Sequence, residues 1–175
     1  MMKNLFLSVG LATALICAAP AAWAQNKGDQ AFLKKAIEGN YAEIEMGKLA
    51  QQKGASDGVR SFGKQLEQDH AAANTKAMDV AKQMGMTPPD GPNQKQKAEY
   101  DRLAKLSGDK FDKAFAKYMV ADHKQDIKEF QREAKKANDP AASFANEVLP
   151  DLQKHLQMAQ SLRSKGGTSG TTGSR

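Results

Sequence analysis

The three histidines of the chain, His70, His123 and His155, all lie in segments that also carry carboxylates. Imidazole and carboxylate groups suit Fe, Zn, Mn or Cu ions, and in proteins without a metal they form hydrogen-bonded Asp–His pairs. Both uses require the side chains to project into an interior rather than into solvent. The elements that position the histidines therefore decide which chemistry the chain can carry.

Two of the histidines have an acidic neighbour one helical turn away. Three positions separate His123 from Asp126, and four separate Asp151 from His155. On a helix each pair shares a face, because residues three or four apart are neighbours there. Each pair can converge on one ion or form a carboxylate–histidine pair in which the carboxylate orients the ligand.

Glycine and proline divide the chain into segments that predict helices. The segments between the breaks are rich in Ala, Lys, Gln and Glu and lack the alternation of a strand, so we predict no strands. We predict long helices at about 29–53, 57–86, 109–137 and 140–164, and a shorter one near 94–106. Pro150 lies inside the last helix and is expected to bend it.

The lengths of the connections predict the architecture. Short loops join the long helices into two hairpins, and a connection of about 22 residues with its own short helix joins the hairpins. Such a connection can run the length of a bundle. The predicted fold is therefore all-α, a ferritin-like four-helix bundle of two helical hairpins with a crossover that contains a short extra helix.

Each long helix carries polar residues on the stripe that should face the core. Charges are costly at such positions, because a buried unpaired ion costs several kcal/mol or shifts its pKa until it is neutral. We therefore predict a metal site in the bundle interior with Glu43, His70, His123 and His155 as ligands. Asp69, Asp122 and Asp126 are predicted as further ligands or as partners of the histidines.

The predicted positions of these residues along the bundle axis, counted from the turn of each hairpin, agree only in part. His70, His123 and His155 each lie about 16 residues from the turn of their hairpin, whereas Glu43 lies about 11 residues out. At 1.5 Å rise per residue this predicts an offset of one to two turns. Glu67 and His70 form a Glu-x-x-His, but Glu67 falls near the edge of the apolar face.

The metal-free alternative stays open from the residues alone. Buried Asp–His pairs can tie helices together in an envelope or stress-associated protein that has no catalytic role. No nucleophile elbow or Gly-rich oxyanion loop accompanies the histidines, so the sequence favours a binding or structural protein over an enzyme, and no catalytic residue is predicted.

The first residues are typical of a secretory signal. Lys3 precedes an apolar run over 5–19, and the segment closes on Ala-Trp-Ala at 22–24. We predict cleavage after Ala24, a helical domain over 25–164 and a disordered Gly/Ser/Thr-rich tail over 165–175. The single Cys of the chain lies in the signal, so the exported protein cannot form disulfides or thiolate metal sites.

Charge and hydropathy limit the partners. The chain has a net charge of +6, which becomes +5 when Lys3 is removed with the signal. The predicted location is periplasmic or secreted, which argues against nucleic acid, and no membrane-spanning segment is predicted after cleavage. The net charge fits a weak attraction to an anionic envelope surface.

At these residues the chain resembles the bacterial exported family catalogued as domain of unknown function 4142. The matching segments are 29–33 (DQAFL), 42–50 (AEIEMGKLA), 69–70 with Asn74, 122–123 with Asp126, and 149–150 followed by 155–156. The resemblance implies a ferritin-like helical bundle in the periplasm or cell envelope and implies no reaction. The residues that carry over are Glu43, Asp69, His70, Asp122, His123, Asp126 and His155. The chain has one Glu-x-x-His where a ferritin di-iron site uses two, so iron storage is not expected.

Overall fold

The computed structural model describes the backbone of residues 19–136 and 139–168 and the side chains of 27–136 and 139–164. The helices are α1 (Ala19–Lys53), α2 (Asp57–Gln83), α3 (Gln94–Ala104), α4 (Gly108–Glu133) and α5 (Pro140–Thr168). No strand occurs within these ranges, which confirms the all-α prediction. Residues 1–18 of the predicted signal and 169–175 of the predicted tail lie outside the described residues.

Most helix ends lie close to the predicted positions, and local hydrogen bonds explain the early end of α2. α2 ends at Gln83 rather than near 86, because Gly85 adopts a positive φ of 69°. The Gly85 N–H donates to the Lys82 carbonyl and the Met86 N–H to the Ala81 carbonyl, which is the Schellman arrangement that closes a helix. α4 ends at Glu133 rather than near 137, and α1 and α5 each extend beyond the predicted range, to Ala19 and Thr168.

The four long helices pack as two pairs that also contact each other. α1 packs against α2 and α4 against α5, as the two predicted hairpins require. The pairs meet where α2 contacts α5 and where α1 contacts α4, while α3 contacts α1 and α4. No helix within the described ranges is both long enough and apolar enough to cross a membrane.

The buried apolar side chains form two separate clusters along the helices. One cluster includes Phe32 and Ile37 of α1, and the other includes Met46 and Leu49 of the same helix. α2, α4 and α5 likewise contribute to both clusters from successive turns. Each long helix therefore has a gap between its two apolar stretches, and these gaps contain Glu43, His70, His123 and His155.

Candidate metal centre

One side chain from each long helix meets in the gap between the two apolar clusters. Glu43, His70, His123 and His155 are 2%, 3%, 0% and 1% exposed. The imidazole centroids lie 5.3 Å apart for His70 and His155, 5.4 Å for His123 and His155, and 5.9 Å for His70 and His123. Each imidazole offers a ring nitrogen within 4.8 Å of those of the other two, which is close enough for one ion to be shared with small side-chain movements.

The expected height difference between Glu43 and His70 was wrong. The Glu43 Oε2 and His70 Nε2 atoms are 2.5 Å apart. Glu43 lies ten residues before the end of α1, and His70 thirteen after the start of α2, so the axial offset is about 4.5 Å. Side chains point toward the N-terminus of their own helix, so the two antiparallel helices direct these side chains toward each other and close the offset.

His70 is held between two groups of α1. Its Nδ1 lies 2.9 Å from the Asn40 Oδ1, and its Nε2 forms the ion pair with Glu43. Burial lowers the pKa of His70, but the charge of Glu43 and the hydrogen bond to it outweigh burial and raise the pKa above 6.5. Burial likewise raises the pKa of Glu43, but interactions with His123 and His70, which are both protonated in the acid range where Glu43 titrates, lower it to about 2. Both shifts favour an imidazolium paired with a carboxylate when no metal is bound.

His123 is neutral and has one ring nitrogen free. Its Nδ1 lies 3.1 Å from the Met119 carbonyl oxygen one turn earlier, so the Nδ1–H donates to that carbonyl and the Nε2 carries the lone pair. The Nε2 has no hydrogen-bond partner among the described residues. Burial, with the charge of His70 acting in the same direction, lowers the pKa of His123 to about 4 in spite of Glu43.

His155 shows the same arrangement with the nitrogens exchanged. Its Nε2–H donates to the Asp69 Oδ2 at 2.8 Å, and its Nδ1 has no partner within the described part of the chain. Burial and the charge of His70 lower the pKa of His155. The i,i+4 pairing with Asp151 was wrong, because the structure places Asp151 on the exposed side of α5. The carboxylate that orients His155 comes from α2 instead.

Asp122 and Asp126 lie next to the cluster rather than in its centre, and both are half-buried. Asp122 offers an oxygen within 4.8 Å of ligand atoms of Glu43 and His123. Burial, followed by the charge of Glu43 and the hydrogen bond with it, raises the pKa of Asp122 from 3.8 to about 7. Burial and the charge of Asp122 also raise the pKa of Asp126 well above its usual range.

All seven residues predicted for the site lie in or beside this cluster, whereas Glu67 does not. Glu67 accepts a hydrogen bond from Gln51 at 2.7 Å and faces Lys48, so the Glu-x-x-His spacing has no metal-binding geometry here. Sequence reasoning missed Asn40, the Met119 carbonyl and Gln65, which donates to the Asp69 Oδ2 at 2.7 Å. The contact with the Met119 carbonyl cannot be read from the sequence, because every residue has a backbone carbonyl. Asn40 could have been proposed, because it is a polar residue one helical turn before Glu43.

A second acidic group lies near the end of α4, and Lys136 pairs with two of its three carboxylates. Asp29, Glu133 and Asp139 have carboxylate oxygens within 4.8 Å of one another. The Lys136 Nζ lies 2.5 Å from the Asp29 Oδ1 and 2.7 Å from the Glu133 Oε2. Asp139 also accepts from the Ala141 N–H at 2.7 Å and so caps α5. This group has the structural roles of an ion pair and a helix cap.

A cavity of about 30 Å³ with polar and apolar walls lies beside the cluster. Its polar lining comprises Lys35, Asn40, Glu43, His70, Asp126 and Glu129. Phe32 and Phe130 form apolar walls, with their ring centroids 4.9 Å apart. The volume is enough for about one water molecule, so a small ion or ligand can be accommodated beside Glu43 and His70.

Comparison with known proteins places the chain among proteins without an assigned activity. A crystal structure of a DUF305 fragment from Deinococcus radiodurans has a similar fold, with a TM-score of 0.69 and 10% sequence identity. The similarity covers 79% of this chain and 96% of that one, and at this identity it supports the fold alone. No curated protein sequence matches the chain significantly. The profile of a domain of unknown function, DUF4142, matches residues 16–162, and the chain therefore belongs to the DUF4142 family.

Proposed function

We propose that this protein is an exported helical bundle that binds one divalent transition-metal ion in its interior. His70, His123 and His155 are the proposed imidazole ligands, and Glu43 is the proposed carboxylate ligand. A set of three imidazoles and one carboxylate suits Zn²⁺, Cu²⁺ or Fe²⁺ better than Ca²⁺ or Mg²⁺, with Mn²⁺ between them. The proposal assigns a binding role and no reaction.

The observation that carries the proposal is the pair of buried imidazole nitrogens that have no partner within the described part of the chain. In His123 the Nδ1–H donates to the Met119 carbonyl and the Nε2 is left without a partner. In His155 the Nε2–H donates to Asp69 and the Nδ1 is left without a partner. Metal-binding histidines use this arrangement, in which the hydrogen bond fixes the tautomer and turns the lone pair toward the ion. In a metal-free protein, two buried acceptors without donors carry a desolvation cost of about 1–3 kcal/mol each.

His70 and Asp122 complete the proposed site through a change of protonation. An ion near the three imidazoles would replace the proton that His70 holds against Glu43, and it would favour the ionised form of Asp122. Metal binding is therefore expected to release protons at neutral pH. Asp69 orients His155, and Asp126 remains the outer carboxylate on the cavity wall.

We further propose the finer architecture and the location. The arrangement is a ferritin-like four-helix bundle of two hairpins, in which the connection with α3 is the crossover. Support comes from the packing of α1 with α2 and of α4 with α5, and from the contacts of α3 with both α1 and α4. Cleavage after Ala24 and export to the periplasm remain proposals that depend on the sequence of residues 1–24.

Metal analysis of the native protein tests the binding role. The protein is purified from the periplasm without a His tag, and its metal content is measured by inductively coupled plasma mass spectrometry. We expect about one Zn, Cu or Fe per chain, with His123→Gln and His155→Gln each losing most of it. Substoichiometric metal, together with no thermal shift on addition of Zn²⁺, Cu²⁺, Fe²⁺ or Mn²⁺, would contradict the proposal.

A metal-free structural role is the second candidate, and the ion pair between Glu43 and His70 favours it. This pair and the His155–Asp69 hydrogen bond form without an ion and tie α1 to α2 and α2 to α5. Under this role His123→Ala lowers stability and leaves the metal content unchanged. Under the metal-binding role the same variant loses metal, and a chelator lowers the Tm of the parent protein only.

A further inference from the structure

The cavity beside the cluster has carboxylates along its length. Glu129 is 20% exposed, Asp126 lies one turn earlier on α4, and Glu43 is only 2% exposed, so the lining carboxylates run from near the surface to the interior. Glu129, Asp126 and Asp122 are spaced by three and four residues, so they share one face of α4 at intervals of about 4.5 and 6 Å along its axis. A stripe of oxygen ligands therefore leads from the surface to the cluster.

One exposed ion pair stands at the outer end of this stripe. The Lys35 Nζ lies 3.4 and 3.5 Å from the two carboxylate oxygens of Glu129. Lys35 is 62% exposed, whereas Glu129 is only 20% exposed. Gln125 also contacts the Glu129 Oε1, at 3.5 Å. These contacts are long, so the pair is weak and can open without a large cost.

We propose that this cavity is the access path of the divalent cation to the metal centre, and that the Lys35–Glu129 pair controls the rate of uptake. The proposal rests on the proposed function. A cavity with room for about one water does not admit a fully hydrated divalent ion, so carboxylate oxygens must replace water as the ion moves inward. Glu129 attracts the incoming cation and Lys35 repels it, because fields in a cleft with low-dielectric walls act strongly on ions.

The test uses two variants for which the proposal predicts opposite effects. Metal-free protein is mixed rapidly with Co²⁺, and uptake is followed by the absorbance of the bound ion. Glu129→Gln is expected to slow uptake by about threefold to tenfold, whereas Lys35→Gln is expected to speed it by a similar factor. Both effects should shrink at 0.5 M salt because of screening. The final absorbance should match that of the parent, since neither residue is a proposed ligand.

A second ion pair of the protein provides the matched control. Lys76 and Glu147 pair on the surface between α2 and α5, and neither residue lines the cavity. Lys76→Gln and Glu147→Gln change the net charge by the same amounts as the two test variants. Their uptake rates are expected to stay within about 1.5-fold of the parent, because charge far from the path is screened.

Each alternative outcome identifies which proposal fails. If Co²⁺ binds to the same final level in all proteins and the rates of the test variants equal those of the controls, the access path is overturned and the metal centre stands. If the parent binds no Co²⁺ at equilibrium, the metal centre is overturned and the access path with it. If Glu129→Gln and Lys35→Gln both speed or both slow Co²⁺ uptake, the proposed access path is also overturned.

Discussion

His123 and His155 show how different hydrogen bonds fix the tautomers of two buried imidazoles. One ring is held through Nδ1 by a carbonyl of its own helix, and the other through Nε2 by a carboxylate of a neighbouring helix. The lone pairs therefore lie on different nitrogens, yet both belong to the same cluster. The neutral state of each ring follows from burial, which lowers both pKa values, His123 to about 4.

The partner of His155 provides the first prediction at this scale. We expect Asp69→Asn to weaken Zn²⁺ binding by about 10- to 100-fold, because the carboxylate that orients the imidazole and raises its basicity is lost. Asp151→Asn removes the same charge one turn from His155 on α5, and we expect it to change the affinity by less than about twofold. Competition titration against a chelator of known affinity measures both. Equal losses in the two variants would mean that total charge, rather than orientation of His155, governs binding.

Asp122 provides a prediction about pH. Its pKa is about 7 in the folded protein and 3.8 in the unfolded chain, so between these values the folded state holds a proton that the unfolded state has released. The stabilisation from this group is therefore present below pH 3.8 and is lost as pH rises through 7. Asp122→Asn cannot ionise, so the stability of the metal-free variant relative to the parent should rise by about 2–3 kcal/mol as the pH rises from 5 to 8.

Urea denaturation in the presence of a chelator measures this difference. His123 makes stability rise with pH between about 4 and 6.5, because in this range the unfolded chain binds its proton and the folded protein does not. This contribution is the same in the parent and the variant, so it does not affect their difference. Asp79→Asn, an exposed change on α2, is the control and should leave the pH profile of the parent unchanged. A constant difference between Asp122→Asn and the parent across this pH range would contradict the raised pKa of Asp122.

The sequence predicted which residues enter the cluster but not which atoms they contact. Glu43 and the three histidines were accessible because charged or polar residues on an apolar helical stripe are conspicuous. The choice of Asp69 over Asp151 as the partner of His155 depends on the rotation of α2 relative to α5. That rotation is fixed by packing over the whole length of the helices, so a spacing within one helix cannot reveal it.

At the scale of the elements, α1 and α2 come closer together than ordinary side chains allow. A Cβ atom on Gly63 would lie 2.6 Å from the Gly47 carbonyl oxygen and 2.8 Å from the Ala50 Cβ. A Cβ atom on Gly47 would lie 2.5 Å from the Gly63 carbonyl oxygen in return. This contact lies next to Glu43 and His70 along the helices, so the close approach of the two backbones brings the two side chains within ion-pair distance.

We therefore expect Gly63→Ala to destabilise the protein by about 2–3 kcal/mol, because the backbones must separate to admit the methyl group. Gly39→Ala is the matched control on α1. Its Cβ would meet only the Gln96 Nε2, at 3.9 Å, so replacing a helical glycine there should stabilise by about 0.5–1 kcal/mol. Thermal denaturation of metal-free protein compares the two. A neutral Gly63→Ala would show that the helices are free to separate at this point.

The helices themselves could be predicted from the breaks and the composition, whereas their relative heights could not. Counting residues from a turn gives the positions of the backbones along the helix axis but ignores the direction in which side chains point. This direction brings the Glu43 and His70 side chains together in spite of the axial offset of their backbones. Helix ends differed where a backbone motif decided them. α2 ends before the predicted position because Gly85 adopts a positive φ. A glycine can also adopt helical φ and ψ angles, so its presence in the sequence did not fix the end of the helix.

At the scale of the whole molecule, the polar cluster separates two apolar cores. On every long helix the cluster residue lies between a stretch that packs in one core and a stretch that packs in the other. Without a metal, the centre of the molecule has an ion pair and, among the described residues, three unpartnered nitrogens, on Asn40, His123 and His155, where a continuous core would have apolar contacts. A bound ion would join four helices at this level, while each core by itself fixes only its own end.

The last prediction follows from this arrangement and concerns hydrogen exchange of the backbone amides. With Zn²⁺ at about 100 times its Kd, amides near Glu43, His70, His123 and His155 should exchange up to about 100-fold more slowly than in chelator-treated protein. All four segments should respond together, because one ion holds them. α3 contributes no cluster residue and exchanges through local opening, so its amides should change little. His123→Gln should abolish the response at all four helices. Protection confined to α1 and α2 would mean that the ion binds at the Glu43–His70 pair alone and that the two hairpins are held together by their apolar cores.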